Sequence, residues 1–186
     1  MEIDAILTLL RHDNQLKRTA RTGWVQRGVV NAESVATHSH GVAFAALLLA
    51  ELLVGRVAVD RGRLLTLAVL HDLPESITTD IPAPAWGYLP AGIKRDVERG
   101  ALQVILDAAP FAADWLALFE ELHDSSTVEA RLVHDADKID MFLQALVYEE
   151  QSGNRQLSTF WRRRHTFHFP EAQAIYDRLL QQRPAA

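Results

Sequence analysis

AESVATHSHGVAFAALLLAELLV, residues 32–54, is the stretch that decides the fold. Within it Val35, His38, Val42, Ala45 or Ala46, and Leu49 recur at steps of three and four, the spacing that gathers side chains on one face of a helix. Asn31 is the expected N-cap, so the helix should run from Ala32 to about Val54. Beyond Gly41 it is apolar nearly all round, which requires protein on most sides and makes it the expected central helix. The longest apolar run, Gly41 to Ala50, ends at Glu51, well short of the roughly 20 residues of a membrane span.

The flanking sequence repeats the three-and-four spacing, and alternation of the strand type is absent, so an all-α fold of about six to eight helices is expected. A first helix should start after Asp4 as N-cap and run towards Lys17, with Ile6, Leu9, Leu10 and Leu16 inward. The cationic segment RTARTGWVQRGVVNAE then reads as irregular. A third helix spans about Arg61 to Asp72 and should stop before Pro74, because proline disfavours helical geometry in the residue ahead of it. Helices from Ala91 to Ala108 and from Ala112 to His123 should turn Ile93, Val97, Val104, Ile105, Leu116 and Phe119 inward. Ser126 to Glu129 matches a capping box and opens a long helix to about Gln151, stopped by Gly153. Pro170 begins a last helix ending near Gln182. One domain covering 1–186, with its core motifs at about 31–151, is the expected organisation.

The chain has 186 residues, 48% hydrophobic and 23% charged, as folded domains do. Its net charge of −5 lacks the broad positive field that long nucleic acids require, while leaving room for a small anion held by local cations. No cysteine is present, so thiolate chemistry is excluded and any metal must be held by histidine and carboxylate. The charged N-terminus does not read as a signal peptide, and neither the membrane nor long nucleic acid is an expected partner; the expected location is the cytoplasm.

Three helices each turn a ligand-type group inward. His38 shares the face of Val35 and Val42; His71 ends the stripe Leu64, Leu67, Ala68, with Asp72 beside it; Asp137 falls between Val133 and Met141 at steps of four. Any one of these alone would read as a hydrogen-bonded core histidine or a capping acid. Together, an inward carboxylate costly to bury alone and two converging imidazoles read as the cage of a divalent cation. Asp135, between Arg131 and Lys138, reads as solvated. Asp140 lies one turn beyond Asp137, where it can support a ligand.

The pieces ESVATHSHGVA, LAVLHDLPESITTDIP and LVHDADKIDMFLQA resemble the three motifs of the HD-domain metal-dependent phosphohydrolases. With RTGWVQRGV ahead of them, the likeness over roughly residues 10 to 160 narrows to 5'-deoxynucleotidases of the HD-domain-containing protein 2 and bacterial YfbR type. The resemblance implies an HD-domain helical bundle, metal ligands at His38, His71, Asp72 and Asp137, catalytic carboxylates at Glu75 and Asp80, and a homodimer. It implies one divalent ion, from among Mn, Co, Fe, Ni, Zn and Mg, since only His123 and His134 lie where binuclear members carry further histidines.

The substrate this implies is a (deoxy)nucleoside 5'-monophosphate. Arg18, Arg21 and Lys17 are candidates to meet its phosphate, against the reading of solvated charge, and Trp24 to stack on its base, against the reading of core. Trp24 matches the tryptophan of the YfbR type, but Gly23 stands where that type has arginine, leaving Arg21 as the substitute. Arg162 to Arg164 read as a solvated face, with dimer contacts or phosphate steering as the alternatives. A phosphodiesterase, an alarmone hydrolase or a dNTP triphosphohydrolase shares the same chemistry, and a non-catalytic helical module with a structural metal is the reading from another class.

Overall fold

The computed structural model describes residues 3–107 and 109–183. Helix α1 spans Ile3–Leu16, α2 Thr22–Val25, α3 Val35–Leu52, α4 Arg61–Leu70, α5 Glu75–Thr78, α6 Ala83–Trp86, α7 Ile93–Leu106, α8 Ala112–Asp124, α9 Val128–Ser152 and α10 Pro170–Gln182. A 3-10 helix occupies Arg155–Trp161, and no strand occurs among the described residues. The three shortest helices have four residues each, and the other seven α-helices make up the expected bundle.

Helix α3 is the central element, packed against α4, α9 and α10, with α1 touching one end. Its length and composition would also suit a membrane span, yet Val35, His38, Val42, Ala46, Leu49 and Ala50 are buried against the rest of the chain. A second cluster, including Leu16, Val35, Leu102, Ile105, Leu106 and Phe119, joins α1, α7 and α8 to the start of α3.

Several ends differ from the sequence expectation, each for a local reason. Asn31 does not cap α3. Ser34 is held extended because Arg21 N–H donates to the Glu33 carbonyl at 3.0 Å and Val35 N–H to the Thr19 carbonyl at 2.8 Å, so Ser34 becomes the cap and accepts from Thr37 N–H. This pairing also draws the 17–30 segment, with α2 inside it, against the root of α3. Helix α4 stops at Leu70, which leaves His71 and Asp72 in the turn before Pro74. At α9 the cap is Thr127, whose hydroxyl accepts from Ala130 N–H at 3.1 Å. Glu129 instead accepts from Asp60 N–H at 2.7 Å and ties the start of α4 to α9. Asp4 lies inside the first turn of α1, and Leu10, Val97 and Val104 face solvent, because α1 and α7 are rotated to fill the second cluster.

Asp135 is not solvated. It is 1% exposed and accepts from the backbone N–H groups of His168 and Phe169 at 3.0 and 2.9 Å, fixing the turn that feeds α10. Asp135→Ala should therefore lower the unfolding free energy by roughly 1–3 kcal/mol, the cost of stripping partners from buried polar groups. Urea denaturation checks this, and a variant as stable as the parent contradicts the anchoring role.

Candidate metal centre

Each converging side chain comes from a different piece of the fold: His38 from the first turn of α3, His71 and Asp72 from the turn after α4, and Asp137 from the middle of α9. His38 Nε2 lies 3.2 Å from Asp137 Oδ1 and 3.7 Å from Asp72 Oδ2, and His71 Nε2 lies 3.2 Å from that same Asp72 oxygen. The ligand atoms of His38, His71 and Asp137 lie within 4.8 Å of one another, close enough to share one ion.

The other nitrogen of each ring fixes which atom faces the centre. His71 Nδ1 lies 2.8 Å from the Ala68 carbonyl, which can only accept, so Nδ1 donates and Nε2 presents its lone pair inward. His38 Nδ1 lies 2.7 Å from Asp140 Oδ2, which sets the same tautomer. His38 Nε2, His71 Nε2, Asp72 Oδ2 and Glu75 Oε2 are all buried without a hydrogen-bond partner among the described residues. Buried acceptors aimed at one another are costly unless a cation stands between them. The residues present fit a divalent ion, and two imidazoles with two carboxylates suit a borderline metal.

The electrostatics agree. Burial and the Arg21 charge pull the His38 pKa down, but the Asp137 and Asp140 carboxylates beside the ring outweigh them and push it up to about 9, so without a cation both ring nitrogens carry a proton near neutral pH. Burial would raise both carboxylates, yet His71, Arg21 and His38 hold Asp72 low, and Lys138, His38 and Arg21 hold Asp137 low. Glu75 goes the other way: burial, with Asp72 and Asp80 nearby, pushes its carboxyl up to about 9.

Gly41 makes this arrangement possible. A Cβ at that position would lie 2.0 Å from Asp140 Oδ1, so only glycine lets Asp140 reach His38 across the α3–α9 contact. Gly41→Ala should destabilise the protein by roughly 1–3 kcal/mol as overpacking does. It should cost far less in an Asp140→Ala background, where the clash is gone. Chemical denaturation of both singles and the double tests this, and additive effects contradict it.

The cation cage opens into a cleft of about 190 Å³ whose walls include Arg21, Glu75, Asp80, Lys94, Lys138, Met141 and Phe160. Arg21 Nη1 lies 3.6 Å from Asp72 Oδ2 and 3.9 Å from Asp80 Oδ1, and Lys138 Nζ donates to Asp137 Oδ2 at 2.8 Å. Asp80 Oδ2 accepts from Thr22 N–H at 2.6 Å, so this carboxylate holds the turn that carries Arg21 into the cleft.

Of the residues singled out in the sequence, the structure brings together His38, His71, Asp72, Asp137, Glu75, Asp80 and Arg21. Arg18 stands apart, exposed and donating to Gln15 Oε1 at 2.7 Å. Trp24 borders the cleft but is 1% exposed; its ring packs on Phe160 and Tyr148 and its Nε1–H donates to Glu33 Oε1, so it offers no free face for stacking. His134 is engaged by the Leu122 carbonyl and His123 by Glu98, away from the cage. Lys94, Lys138, Met141 and Phe160 line the cleft without having been singled out as site residues. Lys138, one position past Asp137, and Met141, one turn beyond it on the same face, carry a local signal; Lys94 and Phe160 carry none.

A family model described as HD domain matches residues 14–176. The chain is 32% identical over 185 residues to the 5'-deoxynucleotidase HDDC2 of Danio rerio, covering 97% of this chain and 89% of that protein. It is 35% identical over 148 residues to the Homo sapiens protein of the same name, covering 78% and 69%. Among solved structures, a conserved hypothetical protein from Pyrococcus furiosus superposes with a TM-score of 0.73 at 40% identity, covering 97% of this chain and 95% of that one.

Proposed function

The chain belongs to the HD-domain family, and from that premise we propose that it hydrolyses (deoxy)nucleoside 5'-monophosphates to nucleoside and orthophosphate. The observation that carries this reading is the convergence of His38 Nε2, His71 Nε2 and Asp72 Oδ2, unpartnered and buried, upon Asp137 at the floor of a cleft with cationic walls. The relatives named 5'-deoxynucleotidases support the substrate class.

In this proposal His38, His71, Asp72 and Asp137 hold one divalent ion, which when bound supplies Lewis acidity to the phosphate and to a water. Arg21, Lys94 and Lys138 meet the phosphate oxygens. Glu75 is the proton-transfer group: without a cation its pKa of about 9 keeps it protonated at neutral pH, and a divalent ion held beside it would lower that pKa, so that Oε2 can take the proton of the attacking water and return it to the departing 5' oxygen. Asp80 fixes Arg21 through Thr22 and assists at the same wall. Met141 and Phe160 supply the apolar surface for sugar and base.

A screen of nucleoside and deoxynucleoside monophosphates with several divalent metals, read as orthophosphate, tests the proposal. Release from dAMP or dTMP supports it, and cleavage confined to cyclic, polyphosphate or alarmone substrates overturns it. An inert protein under all conditions would favour the structural-metal module, a reading that gives no role to the unpartnered Glu75 oxygen. A homodimer and a cytoplasmic location belong to the same proposal; sedimentation velocity and cell fractionation test them.

A further inference from the structure

Arg27, Arg155 and Arg162 converge on a second cleft, of about 490 Å³, between the end of α2 and the 3-10 helix. No acidic side chain lines it; Gln156, Ser158 and Thr159 complete its polar wall. Elsewhere in this net-negative chain Arg56, Arg61, Arg63, Arg95, Arg99 and Arg183 each close on a carboxylate. Arg155 and Arg162 have no such ion pair among the described residues.

Arg27 is fixed rather than swinging free. Its Nε donates to Thr159 Oγ1 at 2.6 Å, its Nη1 to the Gly23 carbonyl at 2.8 Å, and the guanidinium lies 4.2 Å over the Phe160 ring. All of these partners are neutral, and burial lowers its pKa with no carboxylate to offset the effect. A half-buried guanidinium without a counter-charge is an unfavourable arrangement that an anion from outside relieves.

We propose that this cleft is a second anion site, distinct from the reaction cleft, that binds a small molecule through a di- or triphosphate group. Three guanidinium groups in an open cleft match several phosphate charges better than one, because exposed charge pairs are individually weak. Gly23 and Phe160, which Arg27 grips from this side, also line the reaction cleft, so the occupant sits directly behind one of its walls.

Calorimetric titration of the metal-loaded full chain with inorganic tripolyphosphate, at about physiological salt, tests the site. The expected result is saturable binding that weakens about tenfold or more in Arg155→Ala/Arg162→Ala, with kcat/KM for nucleoside monophosphate unchanged in that variant. Repeating the titration with a nucleoside triphosphate separates the two sources of the chemistry. Equal affinity assigns free polyphosphate, and tighter binding that is still lost in the double variant assigns a nucleotide. Binding unchanged in the double variant, binding lost only in Lys94→Ala, or no binding by the parent at millimolar probe overturns the proposal.

Discussion

His38→Ala is expected to lower phosphate release by roughly 10³-fold or more, because the several kcal/mol that a Lewis-acidic ion contributes translate to about tenfold per 1.4 kcal/mol. The imidazole is 0% exposed and stands between Asp72, Asp137 and Asp140, so its loss removes a ligand and leaves three carboxylates facing a void. Metal content should fall with activity, while circular dichroism should still report a helical protein. A variant with parental metal content and turnover contradicts the assignment.

The same geometry makes metal affinity depend on pH. In the metal-free protein His38 is protonated up to about pH 9, because Asp137 and Asp140 hold the proton against burial and Arg21. A metal must displace that proton, so affinity should rise as pH increases towards about 9, with proton release measurable by calorimetry in buffers of different ionisation enthalpy.

Glu75→Gln is expected to keep the metal and lose about 10²–10⁴-fold in kcat, the usual share of a positioned acid or base. The amide is isosteric and fills the same buried space, so binding of ion and substrate should change little. Stability supplies a second readout. The Glu75 pKa is raised from 4.5 to about 9 by burial, Asp72 and Asp80, and an acid whose folded pKa is raised stabilises the fold below its unfolded pKa and loses that contribution as pH climbs. Metal-free parent protein should therefore weaken between about pH 4.5 and 9 by an amount that Glu75→Gln does not show. Parental kcat in this variant contradicts the role given to Glu75.

How much of this was legible in the sequence depends on whether the cause is local. Helical spacing placed His38 beside Val35 and Val42, and all three are 0% exposed. Asp137 likewise followed from Val133, and Gly153 ends α9 at a φ of 62° as a left-handed cap should. The burial of Asp135 is not legible from its sequence neighbours, because Lys138 closes on Asp137 and the partners of Asp135 come from residues 168 and 169. Asn31 lost the cap of α3 to Ser34 for the same kind of reason, a pairing with residues 19 and 21 that no local signal announces. Lys94 and Phe160 reach the cleft from α7 and the 3-10 helix, elements whose placement is set by tertiary packing.

The most direct test is a titration of chelator-stripped protein with a divalent metal such as Mn²⁺, following orthophosphate release from a deoxynucleoside monophosphate. Turnover should be absent without metal, rise with each addition and level off at one ion per chain, with His38→Ala and Asp137→Ala failing to respond. Full turnover in the stripped protein, or the same one-ion plateau in those variants, would contradict a centre built from these side chains.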